Sequence, residues 1–183
     1  MRVVRHALHL AASLDTEDRR VLEKVIFRYY AARPDVRSVL FAGCDWRTEP
    51  YEDSYFSRQD YWTIERDEKA RRYGARQHVV APLEQLDQFF PEGYFDLIIC
   101  NGVFGYGLDT LEQCETAFAH CYSRLRNDGY FVLGWDDVPR RAPVAFANVA
   151  SLKRFRRPPF PPLGSSRYLT DTPYNRTYEF FAR

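Results

Sequence analysis

The feature that most constrains this chain is a repeated alternation. Five short apolar runs, at residues 38–42, 61–64, 78–81, 95–100 and 130–135, are separated by stretches with helical spacing or turn chemistry. Gly43 stops the first run, Glu65 the second and Pro82 the third. The fourth, Phe95-Asp96-Leu97-Ile98-Ile99-Cys100, is almost continuously apolar, as a strand covered on both faces should be. Before the first run, Val21, Leu22, Val25, Ile26, Tyr29 and Tyr30 recur at helical spacing, with Asp15 or Thr16 able to cap the helix and Pro34 ending it. Between the fourth and fifth runs a helix is predicted from Asp109. Asp109 and Glu112 form its capping pair, and Leu111, Cys114, Phe118, Cys121, Tyr122 and Leu125 its buried stripe. Strands alternating with helices imply a parallel sheet with helices on both faces and right-handed crossovers.

The intervening segments are less regular. Residues 44–60 are polar, and Pro50 argues against a long helix there. A short helix is expected before Gly74, and a turn or two through Leu83, Leu86, Phe89 and Phe90. Residues 139–164 hold six of the eleven prolines and the basic run Lys153-Arg154-Phe155-Arg156-Arg157, an extended stiff segment by composition. Tyr168-Leu169-Thr170 and residues 176–181 predict a closing antiparallel pair joined through Pro173-Tyr174-Asn175. A length of 183 residues suits one domain: a helical segment over 1–35, a core over 36–138 and a closing segment over 139–183.

Charge and cysteine content narrow the function. With 26 basic and 25 acidic residues the net charge is +1, which provides no field to draw nucleic acid or an anionic membrane. Arg5, His6 and His9 break the N-terminal apolar stretch, which is too short to span a bilayer and is read as leading into the first helix rather than as a signal peptide. Cys44, Cys100, Cys114 and Cys121 form no CxxC pair and have no histidine at zinc-ligand spacing. They read as buried, reduced thiols of a cytoplasmic protein with no metal. His78 and His120 form no catalytic cluster with His6 and His9.

In a doubly wound sheet the ligand sits beyond the carboxyl ends of the strands, where strand order reverses. The first and fourth strands should flank that point, so chemistry is expected at Gly43-Cys44-Asp45 and Asn101-Gly102. A glycine there lets backbone approach a ligand closely. Glu65, 22 positions after Gly43, is placed to accept hydrogen bonds from a ribose diol. The loop Asn101-Gly102-Val103-Phe104-Gly105-Tyr106-Gly107 offers either a lid or wall over a small organic acceptor or a tight turn whose glycines only satisfy backbone geometry. Asp136 and Asp137 follow the fifth strand directly. With Tyr106 they are the general-base candidates, the alternative being a polar turn before Pro139. The basic run, with Arg140 and Arg141, reads as phosphate contacts or as a solvated surface.

These blocks resemble class I S-adenosylmethionine (SAM)-dependent methyltransferases over roughly residues 36–135. VLFAGCD is similar to that family's first strand and glycine turn, and TIERDEKARRYG to its second strand with the ribose acid. FDLIICNGVFGYGLD and LRNDGYFVLGW resemble the fourth strand with its exit loop and the fifth strand with its approach, and RYLTD with RTYEFFAR the closing hairpin. The resemblance implies a single-domain, Rossmann-like, mostly parallel seven-stranded sheet with a C-terminal antiparallel hairpin, and SAM as cofactor. It implies that Ala42, Gly43 and Cys44 line the methionine portion, that Glu65 binds the ribose and that Arg66 flanks the adenine. Leu83 would meet the adenine edge, and Asn101 would lie near the methionine amino group. Phe41, Asp45 and Pro82 replace residues usual in the family, and Asp45 is a candidate to pair with the cofactor's positive charge. The expected activity is methyl transfer to a small-molecule acceptor, at oxygen or carbon rather than nitrogen. The alternative is a non-catalytic binding or regulatory protein on the same fold.

Overall fold

A computed structural model describes residues 16–183 of the chain. Asp15, His6 and His9 lie outside the described residues. Helix α1 runs as Glu17–Arg20, takes π-helical geometry over Val21–Phe27 and finishes as Arg28–Ala31. Thr16 occupies the N-cap without a side-chain cap bond. The strands are β1 (Ser38–Ala42), β2 (Asp60–Glu65), β3 (Gln77–Val80), β4 (Phe95–Asn101), β5 (Leu125–Asp136), β6 (Arg167–Leu169) and β7 (Arg176–Ala182). They form one sheet ordered β3-β2-β1-β4-β5-β7-β6. The first five are parallel, and β7 runs antiparallel between β5 and β6. This is the expected Rossmann-like sheet with its closing hairpin.

Alternation along the strands divides the core into two layers. Leu40, Ile98, Cys100, Phe131 and Leu133 face one side, with helix α3 (Leu111–Arg124) and 3-10 turns at Leu83–Gln88 and Ala150–Arg154. Val39, Phe41, Leu97, Ile99 and Val132 face the other, under α1 and a short helix α2 (Tyr51–Tyr55). Phe41 is fully buried there, edge-on to Phe27 and Tyr51. An aromatic ring in this layer leaves no place for the acid that family resemblance would put on β1.

Helix α2 agrees with the reading of Pro50: it is only five residues long and begins directly after that proline. The structure corrects several other local expectations. The N-terminus of α3 lies one residue later than expected. Thr110 accepts from the Gln113 N–H, and the Gln113 side chain accepts back from Thr110, so the capping pair is Thr110/Gln113 instead of Asp109/Glu112. The stripe shifts with it, leaving Leu111 exposed and burying Ala117. The proline-rich segment does not stay extended. It folds back through 3-10 turns and two isolated bridges, Arg156 to Ala182 and Phe160 to Ser165. Its arginines pair internally, Arg156 with Asp128 and Arg157 with buried Glu179, while Arg154 lies over the Tyr122 ring.

Candidate active site

Strand β1 pairs with β2 on one side and β4 on the other, so the order reverses there and the strand ends diverge into a groove. Gly43 leaves β1 at φ +98°, and a Cβ at that position would stand 2.3 Å from the Asn101 carbonyl oxygen. Glycine alone lets the two exits come this close. The chain then turns tightly. The Thr48 N–H and hydroxyl both donate to the Asp45 carbonyl, at 2.9 and 2.7 Å. The Asp45 carboxylate accepts the Arg47 N–H at 2.8 Å and is gripped by the Arg47 guanidinium. Burial works to raise the Asp45 carboxyl, but Arg47 outweighs it and the net shift is downward. The turn's own arginine thus neutralises the carboxylate expected to face the cofactor.

Glu65 ends β2 and ties the two strand exits together. One carboxylate oxygen accepts the Cys44 N–H at 3.1 Å, the other the Asp67 N–H at 3.0 Å. Each oxygen retains a lone pair. Arg66 reaches over the groove to donate to the Gly107 carbonyl at 3.3 Å.

Two adjoining clefts occupy the groove. The first is lined by Ala42, Gly43, Glu65, Arg66, Pro82, Leu83 and Gly102 among others. The second, of about 190 Å³, is lined by Gly43, Cys44, Asp45, Glu65 and Asn101, and beyond them by Asp18, Arg19, Arg47, Tyr51, Arg176 and Tyr178. They share Gly43, Glu65, Gly102 and Tyr106. All eight residues expected to hold the cofactor line one or both clefts. Exposed Trp46 stands outside both and lines a neighbouring hollow with Tyr55. The residues fit a nucleoside with an amino-acid tail. Nothing lies within 4 Å of where a Gly102 Cβ would stand, Glu65 presents free lone pairs, and Asn101 Oδ1 is buried without a partner.

The proposed proton acceptors fare differently. Tyr106 lines both clefts and donates its hydroxyl to Asp136, with Arg141 4.5 Å over its ring. Burial first, and then the Asp136 carboxylate, push its phenol above the ordinary value. Asp136 is buried and forms an ion pair with Arg176 Nε at 3.0 Å. Neither Asp136 nor Asp137 lines a cleft. Asp136 sits behind Tyr106 and Arg176, and Asp137 pairs with Arg167, for successive strand residues point to opposite faces. The 101–107 loop is a fixed wall. Phe104 is fully buried against Trp135 and Phe146, and the Tyr106 and Leu108 N–H groups both bond the Val103 carbonyl. A Gly105 Cβ would stand 1.9 Å from the Arg141 carbonyl oxygen, so the loop is packed against that segment.

Sequence reasoning missed Arg19, Arg47 and Arg176. The first two lie in unremarkable helix and turn sequence. Arg176 reaches the site only through the antiparallel register that sets it opposite Asp136.

A methyltransferase-domain family model matches residues 47–133. Among solved structures, the N-methyltransferase NodS from Bradyrhizobium japonicum WM9 is similar at TM-score 0.69 and 18% identity, over 93% of this chain and 98% of that one. A TehB-like SAM-dependent methyltransferase from Corynebacterium glutamicum gives TM-score 0.62 and 18% identity, over 99% and 95%. The 1,6-didemethyltoxoflavin-N1-methyltransferase of Burkholderia thailandensis, with 1,6-didemethyltoxoflavin and S-adenosylhomocysteine bound, gives 0.52 and 19%, over 100% and 89%. A search of curated proteins finds no match. Among the described residues no helix is long and apolar enough to cross a membrane.

Proposed function

We propose that this chain is a class I SAM-dependent methyltransferase that methylates a small-molecule acceptor at oxygen or carbon, a reading supported by its methyltransferase-domain match and its fold. The observation that carries the reading is Glu65: a carboxylate locked onto the turn after β1, facing both clefts, with open space at Gly102 beside it. The ribose would take Glu65, the adenine would lie between Arg66 and Leu83, and the amino-acid tail would pass Gly43 and Cys44 toward Asn101. Bound there, the cofactor supplies an electrophilic methyl group on a sulfonium. The protein's task is then to seat the acceptor and exclude water, so proximity dominates. Tyr106 forms the common wall of the clefts; its one hydroxyl proton is given to Asp136, so toward the cleft it offers its ring and an accepting lone pair as an orienting group. Asp136 touches neither cleft and positions Tyr106 and Arg176. The acceptor must enter past α1, the Asp45–Thr48 turn and Tyr106. The β4 exit reads Asn-Gly-Val-Phe, without the Asn/Asp-Pro-Pro-aromatic pattern of many amino-group methyltransferases on nucleic acids and proteins, which supports a small acceptor. The buried unpaired thiols fit a reducing compartment such as the cytoplasm.

Calorimetry with S-adenosylhomocysteine tests this. Binding in the micromolar range, weakened about tenfold or more in Glu65→Ala through loss of a charged hydrogen-bond acceptor, is expected. No heat and no thermal shift with either SAM or its product would remove the reading. A second reading, a non-catalytic protein on this fold, is favoured by one observation: Asp45 is consumed by Arg47. Mass spectrometry of the purified protein separates the two, since co-purified SAM or its product supports the first.

A further inference from the structure

We propose that Arg176 is an oxyanion receptor in the acceptor part of the groove, and that the acceptor carries a carboxylate which this guanidinium binds. The inference rests on the reading of the groove as the methyl-transfer site and adds the acceptor's chemical class.

Arg176 is the first residue of β7, paired in register with Asp136, the last of β5. The side chain therefore emerges at the ligand end of the sheet. Its Nε faces Asp136 at 3.0 Å, while Nη1 is buried with no hydrogen-bond partner, in a side chain that lines the second cleft. A guanidinium offers a rigid fork of donors, and a buried donor without a partner is costly. A planar carboxylate in the cleft satisfies that donor, and only an anion gains charge assistance from it. Arg19 repeats the pattern: buried, bound to Glu23, with Nε unpartnered in the same cleft. Two unsatisfied guanidiniums thus arrive from different elements.

The surroundings agree with an anion. Asp136 and Glu23, outside the cleft, pair with Arg176 and Arg19, while Arg47 pairs with Asp45 within the lining. Asp18 and Glu65 also line the cleft, so the attraction for an anion is local to the Arg176 fork, which points a donor at the ligand. Asp136 binds Tyr106 and Arg176 together, fixing the phenolic hydroxyl relative to the fork. Leu22, Tyr51 and Tyr178 supply apolar wall for the body that bears the carboxylate.

The carboxylate on Arg176 has two sources, the acceptor and the cofactor's own amino-acid tail, and the test separates them. S-adenosylhomocysteine, 5′-methylthioadenosine (which lacks the tail), benzoate and its uncharged isostere benzamide are titrated by calorimetry into wild type, Arg176→Gln and Arg176→Lys. We expect benzoate to bind the S-adenosylhomocysteine complex at least about tenfold more tightly than benzamide, the scale of one charged hydrogen-bonded contact. Arg176→Gln erases that preference while S-adenosylhomocysteine affinity stays within about twofold. Arg176→Lys keeps the charge beside Asp136, and so the fold, but loses the fork, and retains only part of the preference. The proposal is overturned if wild type binds neither probe or does not distinguish them. It is equally overturned if Arg176→Gln weakens S-adenosylhomocysteine about tenfold and spares methylthioadenosine, because the fork then serves the cofactor tail. If wild type binds neither nucleoside, the methyltransferase reading fails, while benzoate against benzamide on the free protein still reports on Arg176.

Discussion

Gly43 is where two strand exits touch, and its conformation is set by two independent constraints, a left-handed φ and a carbonyl 2.3 Å from the missing Cβ. Gly43→Ala breaches both. We expect it to cost about 2 kcal/mol or more in unfolding free energy, the scale of a forced left-handed residue plus a backbone clash, and to weaken S-adenosylhomocysteine strongly. Denaturant melts and calorimetry on the same preparation check the two effects. The cysteines lead to the opposite expectation. All four are buried, and burial above all pushes Cys44 and Cys114 up to about 12 and Cys100 and Cys121 upward as well. A thiol must ionise and be reached to react. Ellman's reagent should therefore find none of them in the native protein and all four in denaturant. A fast-reacting thiol in the native state would show that the Cys44 turn opens. The places of Gly43, Glu65 and Asn101 at strand exits lining the groove were legible in the sequence. Arg176 and Arg19 were not: Arg176 meets Asp136 only through strand register, and Arg19, paired with Glu23 in its own helix, reaches the cleft only through the packing of α1 on the sheet. Asp136 was singled out for its position after β5, but its carboxylate is turned to Tyr106 and Arg176 and lines neither cleft.

Among elements, the strands were legible to within a residue or so where an apolar run ended at a breaker, as at Ala42 and Gly43. They were not where the chain irregularly extends its pairing. Strand β5 begins at Leu125 and shifts register before Leu97 meets Tyr130, so polar Asn127 and Asp128 lie inside it, with Asp128 at φ 60°. Capping was legible as a motif but off by one, since Asp109, Thr110, Glu112 and Gln113 offer two overlapping pairs and only backbone geometry chooses between them. Asp96 shows how an element is fixed by one side chain. It accepts the N–H groups of Arg37 and Ser38 at 2.8 and 2.9 Å and pairs with Arg126, binding the start of β4 to the start of β1. Burial acts to raise its carboxyl, but the Ser38 and Arg37 N–H groups and Arg126 together hold it below the unfolded value of 3.8. A depressed folded pKa contributes stability that is complete above the unfolded value and is lost as pH falls through the folded one. Asp96→Asn should therefore lower stability by about 1–3 kcal/mol at neutral pH and flatten the loss below about pH 4. Chemical melts from pH 7 to pH 2.5 test this. Parallel acid limbs in variant and wild type would show that Asp96 does not carry the effect.

For the molecule as a whole, the parallel sheet was implied by the alternation of strands and helices and its closing hairpin by the resemblance, and the groove lies where the first and fourth strands were expected to flank a reversal of order. The groove is built from strand exits and turns together with α1, α2 and the start of β7, so a ligand bound there bridges several elements and should stabilise them together. A ligand bound only by the folded state adds RT ln(1 + [L]/Kd), about 2.7 kcal/mol at one hundred times Kd. For a chain of 183 residues, near the size at which 1 kcal/mol moves Tm by about 2–4 °C, that is a rise of roughly 5–11 °C. Glu65 accepts backbone N–H groups from the turns after β1 and β2, so its removal acts on turn and ligand alike. If Glu65→Ala raises Kd about thirtyfold, the same ligand concentration adds only about 0.9 kcal/mol, and the shift falls by about two-thirds. The unliganded variant meanwhile loses only the worth of two hydrogen bonds to a charged group, a few kcal/mol at most. Scanning both proteins with and without S-adenosylhomocysteine separates the terms, because the difference of shifts cancels whatever the substitution does to the free fold. A shift as large in Glu65→Ala as in wild type would place the nucleoside away from β2.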